Sequence, residues 1–129
     1  MNAKEYYKSI KQDRAEWSAL FRQCMWCGGG GGFLPLETHE IQRKSGCQNR
    51  WASRTNYLRL CSVCHAGPFA TMPHAKQLKL KQEVDFEHYN LREWLMIYDP
   101  ELRAPERVTQ EEVDAAQLDY PVSKGGLQF

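Results

Sequence analysis

Two CxxC units, Cys24-Met25-Trp26-Cys27 and Cys61-Ser62-Val63-Cys64, stand in a chain of 129 residues with 33 residues between them. No other feature of the sequence restricts the fold so strongly. A CxxC turn presents two sulfurs to one ion, and two such turns complete the tetrahedral thiolate set that zinc prefers. A redox dithiol needs only one pair and a βαβ context, which makes a thiol-exchange protein the weaker alternative. Four sulfur ligands leave no open coordination position, so a zinc ion held this way is structural. Zinc-binding energies of order 10 kcal/mol or more in small domains make folding itself depend on the ion. The fifth cysteine, Cys47, lies in a polar stretch far from either pair and is expected to be a free, partly exposed thiol.

Around the cysteines the chain divides into short elements. Tyr6, Ile10, Trp17, Leu20 and Phe21 recur at helical spacing, predicting an amphipathic helix over 3–22 that closes the core of a small metal domain. Five consecutive glycines, Gly28 to Gly32, exceed what a metal knuckle needs and read as a flexible turn. No Lys-Ser/Thr follows them, which argues against a phosphate loop. Residues 33–41 suit a strand that Pro35 starts near a sheet edge, 42–55 a long loop, and 56–60 a second strand. A short helix is expected from Cys61 to about Phe69, interrupted by Gly67-Pro68. Capping boxes at Asn90 to Glu93 and Thr109 to Glu112 open two more helices, the first ending at Asp99-Pro100. The second, running to about Leu118, has little apolar face and is expected to be loosely attached; beyond Pro121 the tail is expected to be mobile.

The net charge of +1 conceals a segregation: residues 1–40 balance, 41–84 carry +7 and 85–129 carry −6. The basic middle, with Arg43, Lys44, Arg50, Arg54 and Arg59, fits a polyanion surface as well as it fits a solvated loop. No apolar run approaches the ~18–20 residues of a membrane span. The opening MNAKEYYKSIKQDR has no apolar core of a signal peptide, so a cytosolic location is expected.

Between Cys24 and about residue 70 the chain resembles a known family. A CxxC, a strand ending His39-Glu40-Ile41, and then Asn56-Tyr57-Leu58-Arg59-Leu60-Cys61-Ser62-Val63-Cys64-His65 together look like the HNH, or ββα-metal, nuclease motif in its four-cysteine form. That form is found in many phage and bacterial endonucleases. The resemblance implies an α+β fold with a zinc-stabilised ββα-metal domain over 24–84, to which the helical spacing and capping signals add a helix over 1–23 packed on the core and a helical extension over 85–129. It implies that His39 and His65 hold a catalytic divalent ion, of which magnesium, manganese, zinc and nickel are candidates. Asn56 would tie down the long loop and help orient the base. Arg43, Lys44, Arg50, Arg54 and Arg59 become the candidate DNA contacts, Arg43 beside the metal and Arg59 pointing outward from its strand. His74 and His88 fall outside the motif and are expected to be structural or exposed.

Glu40 departs from the pattern, because the family normally carries histidine at the base position. A carboxylate works as a base when its pKa approaches the operating pH. Three readings stay open: Glu40 is the base; the register slips, making His39 the base with Thr38 at a poor ligand position; or the base is lost and the domain only binds. The leading expectation is a metal-dependent DNA endonuclease hydrolysing phosphodiester bonds. The alternative is a non-catalytic zinc module that binds nucleic acid or a partner protein. Sequence leaves the oligomeric state open.

Overall fold

The computed structural model describes residues 2–29, 35–42, 52–98 and 108–118, and shows an α+β domain of five helices and one small sheet. Helix α1 (Ala3–Ala19) is capped by Asn2, whose side chain accepts from the Glu5 amide at 2.9 Å. Of the five apolar residues that predict this helix, only Trp17 is fully buried; Tyr6 and Leu20 are exposed and Phe21 lies at the margin. One large indole anchors α1, and its outer turns project beyond the core.

Strands β1 (Leu36–Glu40) and β2 (Tyr57–Cys61) pair antiparallel, with Leu36 opposite Cys61 and Glu40 opposite Tyr57. Helix α2 (Ser62–Ala66) follows β2 without a loop. Cys61, expected to open this helix, is the last residue of β2 and the N-cap of α2, its Sγ accepting from the Cys64 amide at 3.5 Å. Gly67 stops the helix. A Cβ at this position would stand 2.9 Å from the Val63 carbonyl oxygen, so only glycine fits unless the backbone shifts.

Helix α3 (His74–Val84) has no counterpart among the sequence expectations. It buries Gln77, Leu78, Leu80 and Lys81, a helical face of which half is polar. Helix α4 (Leu91–Tyr98) buries Trp94, and α5 (Gln110–Ala115) is shorter than expected. The Thr109 capping box forms in full. At α4 only half of the box forms: Asn90 accepts from the Glu93 amide at 3.0 Å, while the Glu93 carboxylate accepts from Ser53 at 3.1 Å. The amide of Asn90 donates instead to Thr55 at 2.9 Å. Val113 gives α5 a firmer seat than its polar sequence suggests, since it is fully buried and α5 packs on α3.

The core runs through Trp17, Leu58, Leu60, Leu78, Trp94 and Val113, all with no exposed surface. Beneath α1 a charged network is sealed inside. Lys81 donates to Asp85 at 2.6 Å and to the Tyr57 carbonyl at 2.8 Å, and lies 4.5 Å from the centre of the Trp17 ring. Asp85 also accepts from Trp17 at 2.9 Å, and its other oxygen is 2.8 Å from His88 Nδ1. Burial pulls the Lys81 ammonium down to about 8 despite its counter-ion. Burial also pushes the Asp85 carboxyl up, but Lys81, Trp17 and His88 outweigh that and hold it below the ordinary value. Among the described residues, no helix is long and apolar enough to cross a membrane.

Candidate metal centre and histidine cleft

The ligand atoms of Cys24, Cys27, Cys61 and Cys64 lie within 4.8 Å of one another. Tetrahedral zinc with Zn–S bonds of ~2.3 Å sets its sulfurs about 3.8 Å apart, and Cys27 and Cys61 Sγ are separated by 3.8 Å. The surroundings suit thiolate. Amides of Trp26 and Cys27 approach Cys24 Sγ at 3.4 and 3.5 Å, and the Gly29 amide approaches Cys27 Sγ at 3.4 Å. Gly28 takes φ +80°, a left-handed turn that lets the first knuckle curl back under its own sulfurs. The Met25 amide docks the knuckle on β2 through the Arg59 carbonyl at 2.8 Å.

Cys27, Cys61 and Cys64 carry opposed tendencies that a cation resolves. Burial pushes Cys64 and Cys27 upward. Burial acts the same way on Cys61, but hydrogen bonds from the Cys64 amide and neighbouring thiols outweigh it and bring Cys61 down. Several thiolates packed this closely repel one another unless a divalent ion neutralises them. The four cysteines can therefore hold a structural zinc ion.

Cys64 carries the zinc site directly to His65. The imidazole of His65, on α2, meets that of His39, on β1, edge to face with ring centres 4.9 Å apart. Each ring is oriented by a partner. His65 Nδ1 lies 2.7 Å from Glu37 Oε1, so the Nδ1–H donates to the carboxylate and a neutral His65 keeps its lone pair on Nε2. His39 Nε2 lies 2.7 Å from Gln77 Oε1. The Gln77 amide nitrogen donates to the Met72 carbonyl at 2.7 Å, fixing its oxygen toward His39. His39 must then donate from Nε2, and its lone pair is on Nδ1. The rings border an open cleft of about 280 Å³ that Phe69, Met72, His74 and Gln77 help to line.

Glu40 follows His39 on the strand, and alternate residues point to opposite faces. Glu37 and His39 turn toward α2 and α3. Thr38 and Glu40 turn toward α1, where Ser18 bonds Thr38 and Arg14 bonds Glu40 at 3.1 Å. Arg14 also donates to the Thr38 carbonyl at 2.8 Å. The Glu40 side chain keeps only 9% of its surface exposed. Asn56 is wholly buried; it accepts from the Gln42 amide at 2.8 Å and from Trp94 Nε1 at 2.8 Å, and donates to the Gln42 carbonyl at 3.0 Å.

The basic candidates separate. Arg54 is occupied by α1, reaching Asp13 at 2.7 Å and Glu16 at 3.8 Å, and the Asp13 bond raises its pKa above the usual arginine value. Arg59, expected to point outward, is half-buried: its guanidinium donates to Thr38 at 3.1 Å, and desolvation lowers its pKa. A two-stranded sheet covered by α1 on that face leaves no open side for it. Arg43, Lys44, Arg50 and Cys47 lie outside the described residues.

Sequence reasoning missed Gln77, Glu37 and Arg14, the residues that hold the two histidines and Glu40. Glu37 stands two residues before His39, and the strand period puts both on one face, so that one signal was present. His74 stacks edge-on against Trp94, ring centres 5.4 Å apart, while it borders the cleft. A wider polar groove of about 520 Å³ lies beside Arg54, Tyr89 and Glu93, but its polar groups bond one another, the Ser53 hydroxyl to the Glu93 carboxylate and the Thr55 hydroxyl to the Asn90 backbone carbonyl. Comparison with protein families, with curated proteins and with solved structures finds no match for this chain.

Proposed function

We propose that the chain is a metal-dependent endonuclease of the ββα-metal (HNH) type, hydrolysing phosphodiester bonds in DNA. The observation that carries the reading is the convergence of His39 and His65, ring centres 4.9 Å apart, from a strand end and from the helix that the zinc cysteines anchor. A bare imidazole pair is common in cores. Here each ring has one nitrogen committed to a fixed partner and borders an open cleft, the arrangement of ligating histidines with an outer shell.

His39 and His65 would hold one divalent ion, with magnesium, manganese, zinc and nickel as candidates. Such an ion, when bound, supplies Lewis-acid polarisation of the scissile phosphate. Glu37 and Gln77 keep the two lone-pair nitrogens on their ring positions. Glu40 is the candidate to take a proton from the attacking water, with Arg14 positioning its carboxylate. Asn56 keeps the start of the long loop against the end of the hairpin.

One observation favours the second reading, a zinc module that binds nucleic acid or a partner without cutting. Glu40 borders the cleft, but its side chain is nearly buried and Arg14 holds one carboxylate oxygen, which opposes its taking a proton from water. Supercoiled plasmid incubated with the full chain and manganese or magnesium separates the two. Relaxed or linear product is expected, abolished in His65→Ala and reduced at least 100-fold in Glu40→Gln. Intact plasmid across a wide pH range removes the enzyme reading. Undiminished turnover in Glu40→Gln assigns the base to His39 or to another group.

A further inference from the structure

We infer that the outer turns of α1 form a docking arm for the phosphate backbone of duplex DNA beside the cleft; this inference rests on the nuclease reading above. The helix has 17 residues, yet everything before Ile10 is exposed and its one fully buried residue is Trp17. An arm that packs on nothing gains no tertiary stabilisation for its first two turns, and a stretch polar all round stands in solvent or bridges to another body. Tyr6 and Tyr7, each 48% exposed and with ring centres 6.2 Å apart, lie on the same stretch.

Two of the three acidic residues of α1 are sorted away from its lysines, and the third, Glu5, stays in the first turn beside Asn2. Asp13 and Glu16 turn toward the body of the domain and neutralise Arg54. Lys4, Lys8, Lys11 and Arg14 follow one another at steps of four, three and three, which keeps them within about 120° of arc. Among the described residues, Lys4, Lys8 and Lys11 have no ion-pair partner. The stripe does not end at random. Arg14, its last member, holds the Thr38 carbonyl and the Glu40 carboxylate, on either side of His39 in the strand. Arg14 meets β1 on the face turned away from the His39 ring, and Glu40, which it holds, also borders the histidine cleft, so a polyanion lying along the lysines runs to the edge of that cleft.

Dimensions agree. From Lys4 to Arg14 the helix rises roughly 15 Å, about four base steps of duplex at ~3.4 Å each. A second copy of the chain is the competing occupant, but pairing two such stripes brings like charges together. With Arg54 occupied and Arg59 half-buried, the lysines of α1 form a row of exposed positive charge among the described residues.

The test is salt-dependent binding of a fluorescein-labelled 20-base-pair duplex, followed by anisotropy with no added magnesium or manganese. Each phosphate contact contributes about 0.9 to the slope of log K against log salt. The triple variant Lys4→Gln, Lys8→Gln, Lys11→Gln is therefore expected to bind more weakly and lose about 2–3 from that slope. Arginine at all three positions should restore it. Glutamine has nearly the helix propensity of lysine and these side chains are exposed, so the fold is unaffected. An unchanged slope, with wild-type protein still binding, overturns the arm and leaves the nuclease reading standing. A lost slope with no plasmid cleavage by the wild-type chain keeps the arm and removes the catalysis. A wild-type dimer in sedimentation, dissolved by Tyr6→Ser with the salt slope unchanged, assigns the arm to self-association and overturns the proposal. So does a wild-type chain that binds no duplex.

Discussion

Asn56 makes three buried hydrogen bonds with one amide, to both backbone groups of Gln42 and to the indole of Trp94. Truncation to alanine strands an amide, a carbonyl and an indole N–H in a region where Asn56 itself has no exposed surface. At about 1–3 kcal/mol for each buried group left unsatisfied, Asn56→Ala is expected to lose roughly 3–5 kcal/mol, partly relieved by water. Urea unfolding of the zinc-loaded protein measures it, and a loss below 1 kcal/mol would mean that the loop is held by something else. A second prediction concerns the rings. Glu37→Ala removes the carboxylate that fixes the His65 tautomer, and on the nuclease reading lowers manganese affinity about 10–100-fold. Isothermal titration checks it, with circular dichroism of the variant showing that the fold is intact. At this scale the sequence was half legible. His65 follows a zinc cysteine and His39 ends a strand, so their meeting could be read from position. Gln77 could not, because a buried glutamine in a helix looks the same in sequence as an exposed one.

Helix α3 shows what hides an element. Its buried residues, Gln77, Leu78, Leu80 and Lys81, fall at helical spacing, but two of the four are polar and the two leucines are separated by one lysine. Hydropathy reads that as no period at all. The polar positions are buried because the rest of the fold satisfies them: Gln77 between His39 and Met72, Lys81 between Tyr57 and Asp85. Conversely, the apolar period of α1 is visible in sequence and largely unburied in the structure. Hydrophobic spacing shows that a face exists, and only tertiary packing decides whether it is covered. The Lys81–Asp85 pair predicts a pH effect. The Asp85 carboxyl titrates below its ordinary 3.8 in the folded protein, so the unfolded chain binds more protons just below that value. Stability from this group is therefore complete above pH ~4 and is lost as pH falls through the folded value. Asp85→Asn should remove that acid-side slope and, by leaving a buried ammonium without its counter-charge, cost about 3–5 kcal/mol at neutral pH. Denaturant midpoints at pH 3, 5 and 7 test both statements, and parallel losses for wild type and variant between pH 5 and 3 would place the acid sensitivity elsewhere.

For the whole molecule the zinc site decides whether there is a fold to carry any of this. The first cysteine pair comes from the turn after α1, the second from the junction of β2 and α2, and the strand pairing of Leu36 with Cys61 brings β1 to the same point. Four segments thus meet at one cluster, and the α+β order of strand, strand and helix was legible because those cysteines punctuate it. The packing of α3 and α5 onto that frame was not, since neither contributes a ligand. Binding energies of order 10 kcal/mol for structural zinc are comparable to the whole net stability of a domain, about 5–15 kcal/mol. Chelation at neutral pH is expected to convert the circular dichroism and tryptophan emission to those of an unfolded chain, reversibly on return of zinc and not of magnesium. Thiol titration gives the independent count. In zinc-loaded protein at least four of the five cysteines should resist a thiol reagent, and all five should react after chelation. Cys64→Ser is expected to behave as the chelated protein does, because a hydroxyl is a poor substitute for thiolate and three sulfurs leave the ion open to exchange. A folded, cooperative transition in the chelated wild type would show that the hydrophobic core of Trp17, Leu58, Trp94 and Val113 suffices by itself. The cysteine cluster would then be a separate binding site on a self-supporting domain, and His65 would owe its place to α2 packing instead of to the ion.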